Sequence, residues 1–348
     1  MKRYKIEDAS LVNTVRRDVR NLAKNLGLKE STGEKSAIIT SEMGTNLIKF
    51  AHDGEILVQE IVWGGKPGIE VISIDKGPGI ENFNQCLQDG YSSAGSHGTG
   101  LGAILRLSSN IDWYSLPGKG TIWVCRIFEE PTPRYQEPLI SATISTPLEG
   151  EEVNGDGWTK YISPTKSRFL LVDGIGHGIL AHEAALRAIE SFEANPHGSI
   201  VECLSRIHAA LQKTRGAAGS LLEIEHDTGK ICYAGIGNVI TSIVTPDLGH
   251  TLVSLPGILG ADINKISQFM HDSAIGYDPV TLVIMASDGI STKWDLALYP
   301  GIFHKDPAII ASVIYRDFHR KNDDCSILVI KKNLDTNKNL DTNKALCN

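Results

Sequence analysis

Several features are missing from this sequence, and each absence closes off a class of protein. No run approaches the roughly 18 to 20 consecutive apolar residues of a membrane-spanning helix. The opening MKRYKIEDASLVN puts charge at the N-terminus without the apolar core of a secretory signal behind it, so a cytoplasmic protein with no membrane partner is expected. Basic residues are not in excess. Lys and Arg number 34 against 41 Asp and Glu, a formal net charge of -7, and no nucleic-acid partner is expected because that needs a basic patch or stripe. Cys86, Cys125, Cys203, Cys232, Cys325 and Cys347 form no CxxC pair, which argues against a zinc site or a disulfide framework and leaves buried thiols.

What remains is the composition of a soluble globular chain, 41% hydrophobic and 22% charged, and 348 residues suffice for two ordinary domains. Leu11, Val15, Val19, Leu22 and Leu26 recur at spacings of three and four, predicting an amphipathic helix from about Ser10 to Leu26 that Gly27 suits as a stop. A second helix is expected from Ser31 or Thr32 to Phe50, with Glu42, Asn46 and Lys49 on its polar face. The runs EILVQEIVW, GIEVISID, NIDWYSL and GTIWVCRIF read as strands separated by glycine-rich turns, and AILRLSS as a helix between them. Glu129 to Pro138 holds three prolines in ten residues and reads as a linker. Beyond it lie six strand-like runs, FLLV to CSILVI, and two helical stretches, LAHEAALRAIESF and SIVECLSRIHAALQKT, an α/β sandwich pattern with a large strand share. The tail repeats NLDTNK from Asn333 and from Asn339, too short for a solenoid and expected to be disordered.

Two acids follow apolar runs and precede glycines. Asp75 in SIDKGPGI can accept a hydrogen bond from an amine while Gly77 and Gly79 let a flat ring approach the backbone; alone, the same letters read equally well as a turn. Its neighbours add to it. Glu42 and Asn46, four apart, share one helix face, and GSHGTGLGA offers backbone N–H groups directly before a helix, as phosphate cradles do. Gly98, Gly100 and Gly102 match neither the GxGxxG spacing nor the GK[ST] of a P-loop.

Taken in order, SEMGTN, DKGPGI and GTGLG resemble the N, G1 and G2 boxes of the GHKL ATPases, and the segment from Asp75 to Leu107 is similar to the RsbT-type serine kinases of bacterial stress signalling. The resemblance implies a GHKL (Bergerat) ATPase α/β sandwich over residues 1–130. It implies that Asp75 binds the adenine amine of ATP, Asn46 holds Mg²⁺, and Glu42 activates the attacking serine hydroxyl. Gly77, Gly79, Gly98, Gly100 and Gly102 would shape the pocket and its lid, and Thr121 would line its adenine end. His52 and His97 receive no role. Positioning and charge neutralisation are most of what phosphoryl transfer needs, so this sparse set is sufficient.

The second acid is Asp173 in FLLVDGIGHGIL. An Asp-Gly pair is by itself mostly a turn signal, but Asp156 in VNGDGW, Asp288 in VIMASDGIS, and Asp323 with Asp324 in KNDDCSILVI also stand at the edges of apolar runs. Converging strand ends would gather carboxylates whose repulsion is costly without a cation, and hard oxygen ligands suit Mg²⁺ or Mn²⁺. In order, NGD, DGIGHG, SDGIS and NDDCS resemble the metal-binding motifs of PPM-type serine/threonine phosphatases of the SpoIIE branch, and residues 139–332 are most similar in compass to the RsbX type. That resemblance implies a PPM-type αββα sandwich holding two Mn²⁺ or Mg²⁺ ions. Asp173 would bridge them, Gly174 would offer a backbone oxygen, and Asp288 and Asp323 would complete one shell. Asp156 would serve the other, mainly through waters, and Asp323 and Asp324 are interchangeable at this level. His177 reads equally as a general acid or as structure, and Asn238 in GIGN receives no role.

The expectation is an α/β (α+β) chain with four parts: kinase domain 1–130, linker 131–138, phosphatase domain 139–332 and tail 333–348. It would both phosphorylate and dephosphorylate serine on a STAS-domain partner in stress or sigma-factor signalling, with a downstream sigma-regulating protein as a further partner. The alternative is a first half that holds ATP only to bind an anti-sigma or other partner, leaving catalysis to the second.

Overall fold

The computed structural model describes residues 1–80, 100–133, 136–261 and 280–333, together with the backbone of 271–274. Gly98, His97, Cys86, Cys347, part of the expected linker and all but the first residue of the expected tail lie outside the described residues. The chain divides into two compact units, Met1–Gln136 and Glu137–Thr336.

The first unit is a sheet with helices on one face. Helix α1 (Ala9–Asn25) starts where Asp8 accepts hydrogen bonds from the backbone N–H groups of Ser10 and Leu11, and it buries Val12, Val15, Val19 and Ala23 at helical spacing. Helix α2 (Glu30–Phe50) buries Ile39, Met43 and Leu47. Both pack on strands β1 (Lys2–Lys5), β2 (Glu55–Trp63), β3 (Lys66–Ile74), β4 (Asn110–Leu116) and β5 (Gly120–Phe128), ordered β1-β2-β3-β5-β4 with every neighbour antiparallel. Ile56, Val58, Ile69, Val71, Cys125 and Ile127 meet the helices in the core. A short helix α3 (Gly100–Leu107) packs beside α2. Within the sheet, the Arg126 guanidinium donates to Glu70 at 2.6 Å with both side chains almost fully buried, and it stacks 4.9 Å from the centre of the Trp63 ring.

The second unit has four layers. One sheet contains β7 (Asp156–Ile162), β8 (Lys166–Gly174), β9 (Ala217–Glu225), β10 (Lys230–Ile236) and β13 (His271–Ala274). The other contains β6 (Leu139–Thr146), β11 (Ile240–Val244), β12 (Gly249–Leu252), β14 (Leu282–Ala286) and β15 (Cys325–Lys332). Phe169, Leu171, Leu222, Val283, Met285 and Leu328 fill the space between the sheets. Helices α4 (Ile179–Ala194) and α5 (Ile200–Leu211) cover the first sheet through Ala184, Ala188, Phe192, Leu204 and Ile207, and α6 (Pro307–Phe318) packs on β6 and β15 of the second. Because the second sheet is covered on both faces near α6, β14 is buried at every position and reads as one apolar run.

Helix α6 does not appear in the sequence reading, which expects two helices in this half. Residues 307–316 are all buried, so no polar stripe exposes its period. Strands β6 and β7 were not anticipated either; LISATIST and DGWTKYI carry too many hydroxyl and charged residues to stand out as apolar runs.

Candidate functional site

In the first unit, Asp75 follows the last residue of β3. Its backbone N–H donates to the Thr121 carbonyl at 3.0 Å, and its Oδ1 accepts from the N–H groups of Gly77 at 2.7 Å and Thr121 at 3.2 Å. Those two amides fix the carboxylate at the sheet end. The chain then turns through Gly79, whose φ of 76° only glycine adopts cheaply and whose absent Cβ would stand 2.6 Å from the Leu116 carbonyl. Beyond it Ile80 N–H donates to Ser115 Oγ at 2.7 Å, and Ser115 Oγ lies 3.0 Å from Thr121 Oγ1. Asp75, Gly77, Gly79 and Thr121 therefore meet in one loop cluster held against the β4–β5 turn.

Glu42 and Asn46 are both half-buried on α2, one turn apart. Gly100 opens α3 so close to Glu42 that a Cβ there would sit 2.6 Å from Glu42 Oε2. The carboxylate occupies the space a side chain would need. Gly102 is buried in the same helix.

The second unit assembles acids from both sheets. Asp156 is the first residue of β7, and Asp173, next to last in β8, is its direct cross-strand partner. Asp288 follows β14 by two residues and Asp323 precedes β15 by two. Gly174 ends β8 with α4 packed onto it; its absent Cβ would be 2.2 Å from the Ala181 carbonyl. Burial first, then the carboxylates of Asp156, Asp288, Asp323 and Asp324, push Asp173 well above the usual carboxylate range. Asp156 is raised by burial and by Asp324 and Asp288, against the hydroxyls of Ser287 and, less, Ser326 that favour its charged form. Asp323 is raised too, by burial and then by Asp288.

As the side chains stand, no three His, Cys, Asp or Glu among the described residues enclose a single ion. The chemistry of the set fits a divalent cation nonetheless. The donors are hard carboxylate oxygens, they repel one another across a buried space, and Asp156 Oδ1 is buried without a hydrogen-bond partner.

The adjacent acids separate. Both oxygens of Asp324 accept backbone hydrogen bonds, Oδ1 from Leu148 at 2.8 Å and Oδ2 from Gly155 at 3.0 Å, and Asp324 is almost fully buried, whereas Asp323 is partly open to solvent. Asn238 Nδ2 donates to Asp288 Oδ2 at 2.5 Å, and His177 Nδ1 lies 2.7 Å from Glu151 Oε1 at the surface. Ser287 Oγ donates to Asp156 Oδ2 at 2.6 Å. Sequence reasoning missed the parts of Asn238 and Ser287, since an amide fifty residues from its partner and a serine beside an acid carry no pattern of their own.

The family of histidine kinase-like ATPase domains matches residues 7–126. The serine/threonine-protein kinase RsbT of Bacillus subtilis is 33% identical over 102 residues, 29% of this chain and 77% of that protein. The phosphoserine phosphatase RsbX of the same organism is 28% identical over 146 residues, 41% of this chain and 70% of that protein. A solved chain from the bacterial stressosome, described as a modular system adapted to control secondary messenger signalling, superposes with a TM-score of 0.50 at 27% identity, covering 56% of this chain and all of its own. Through its first unit, with the Glu42–Gly100 approach and the Asp75 cluster, the chain belongs to the RsbT family of GHKL serine kinases, fused here to an RsbX-like unit of the PPM phosphatase fold.

Proposed function

We propose that this chain is a bifunctional switch enzyme: its first unit phosphorylates serine on a STAS-domain regulator of stress or sigma-factor signalling with ATP, and its second removes that phosphate. The observation that carries the proposal is the presence, in one polypeptide, of a carboxylate set against a glycine at a helix start and of a facing pair of acids at two strand ends. The first suits adding phosphate, the second removing it.

In the kinase unit Asp75, fixed by two backbone amides, accepts from the adenine amine, and Thr121 lines the same end of the pocket. Asn46 would hold the Mg²⁺ that accompanies ATP, and Gly77, Gly79, Gly100 and Gly102 let backbone approach the nucleotide. Glu42 takes the proton of the serine hydroxyl as its oxygen bonds to the γ-phosphorus and the bond to the bridging oxygen breaks, releasing ADP.

In the phosphatase unit Asp156, Asp173, Asp288, Asp323 and the Gly174 carbonyl would hold two Mn²⁺ or Mg²⁺ ions. When bound, such a pair supplies an activated water and neutralises the phosphate. Asp324, whose oxygens each accept a backbone N–H, from Leu148 and Gly155, would brace the site while Asp323 ligates. Asn238 orients Asp288, and Glu151 fixes the tautomer and direction of His177 beside the site. If one partner serves both units, their linkage raises the local concentration of the opposing activity.

The test is to incubate the purified chain with STAS-domain proteins, first with ATP and Mg²⁺, then with Mn²⁺ after ATP removal, following serine phosphate by mass. Phosphate that appears and then disappears supports the proposal. Phosphate that never appears while the chain binds the partner reduces the first unit to an ATP-holding binding module. Both activities at full rate in one mixture would rule out switching.

A further inference from the structure

The second unit contains a buried polar ladder that the reaction above leaves unused. Ser145 lies on β6, Ser326 on β15, and Ser287 directly after β14, so all three belong to the second sheet of the sandwich. Ser145 Oγ is 2.8 Å from Ser326 Oγ and accepts from Asn154 Nδ2 at 2.8 Å; Asn154 Oδ1 in turn accepts from the Asp156 N–H at 2.9 Å. Ser287 and Ser326 are fully buried and doubly tied, with Ser287 N–H donating to the Ser326 carbonyl at 3.0 Å and Ser326 N–H donating to Ser287 Oγ at 2.9 Å.

That last bond fixes a direction. A serine hydroxyl has one proton, and since Oγ of Ser287 accepts from Ser326, its proton is free to go to Asp156 Oδ2, 2.6 Å away. The contact crosses from the second sheet to the first, because Asp156 begins β7. It leaves Oδ1 of the same carboxylate buried and without a partner.

We infer that Ser287 is a positioning residue for the metal site: it pins Asp156 through Oδ2 so that Oδ1 is the oxygen presented to a divalent cation. The inference rests on the reading that the acid set holds cations. A hydroxyl donating to an ionised carboxylate makes a strong, directional bond, and without it the carboxylate would be free to turn from Asp173 toward whatever donor it finds. Partners of metal-binding side chains typically govern about 10–100-fold in metal affinity.

The experiment titrates Mn²⁺ alone into the full chain by calorimetry, with thermal unfolding in chelator as a check on folding. Ser287→Ala is expected to weaken Mn²⁺ binding at the second unit by about 10–100-fold, and Ser287→Cys, nearly isosteric but a poor donor, to do the same where alanine's small cavity costs the fold. Ser145→Ala, which breaks the ladder without touching Asp156, is expected to stay within about threefold of the parent, since it removes no hydrogen bond to a metal-binding residue. Unchanged affinity in the Ser287 variants, or equal losses in the Ser287 and Ser145 variants, overturns the inference. Failure of the underlying reading looks different: the parent chain would bind no Mn²⁺ that Asp173→Asn abolishes.

Discussion

Asp156 and Asp173 stand directly opposite each other at the ends of β7 and β8, two carboxylates in one cross-strand pair. Like charges placed so are destabilising in a sheet, and a fold that retains them must gain elsewhere or bind something that neutralises them.

The first prediction follows from that pair in the metal-free chain. Both carboxyls are raised above their unfolded value of 3.8, Asp156 to about 7 and Asp173 to about 9. The folded state therefore holds more protons than the unfolded one between these limits, so their contribution to stability is full below about pH 4 and is lost progressively as pH rises from there through 7 and 9. Thermal unfolding in chelator should show the second unit melting lower at pH 9 than at pH 6. Saturating Mn²⁺ should reverse the trend, because binding to the folded state alone stabilises it. A melting point that rises with pH in chelator would contradict the geometry.

Glu42 and Gly100 give the second. Glu42→Ala should abolish transfer to serine while leaving nucleotide affinity within about threefold, as expected for a group that acts only in the transition state. Gly100→Ala places a methyl where Glu42 Oε2 now sits, 2.6 Å away, and should lower the transfer rate by displacing that oxygen. Single-turnover phosphorylation measured beside ATP-analogue binding separates the two effects.

A third prediction distinguishes the neighbouring acids. Asp324→Ala strands the backbone N–H groups of Leu148 and Gly155 and should cost about 1–3 kcal/mol of stability. Asp323→Ala removes a single backbone acceptor, for the Asp324 N–H at 2.9 Å, and should cost less stability than Asp324→Ala, yet abolish phosphoserine hydrolysis. Denaturant unfolding and phosphopeptide turnover on the same two variants check both halves of the statement.

The fourth concerns the first unit alone. Arg126→Met leaves Glu70 buried and uncompensated and should destabilise by about 3–5 kcal/mol, whereas adding Glu70→Leu should recover most of that loss. Calorimetry on the single and double variants reads the recovery; a double variant as unstable as the single one would mean the pair itself, not its breaking, holds the sheet.

Much of this molecule was legible as pattern. The α1 stripe from Leu11 to Leu26 and the strand EILVQEIVW have periods of their own, and they fold as helix Ala9–Asn25 and strand Glu55–Trp63. The glycine-flanked acids could be placed at strand ends for the same reason. What escaped were elements without a period, such as the uniformly buried α6, and contacts that exist only once the sheets meet. Asn238 reaches Asp288 across fifty positions, and Ser287 reaches Asp156 across 131. What separates Asp324 from Asp323 is of the same kind: its hydrogen bonds from the backbone amides of Leu148 and Gly155 are invisible in side-chain letters.

Gly155 has a consequence for how this enzyme can vary. Its missing Cβ would lie 2.6 Å from Asp324 Oδ2, 2.9 Å from the Ala181 methyl and 3.5 Å from the Gly176 carbonyl, so the β7 entrance, the start of α4 and the second sheet converge on a single hydrogen atom. In a saturation scan of the second unit, position 155 should then tolerate few replacements although it carries no functional group. A change at one acid leaves the others in place, while any side chain at 155 would wedge the three elements apart together.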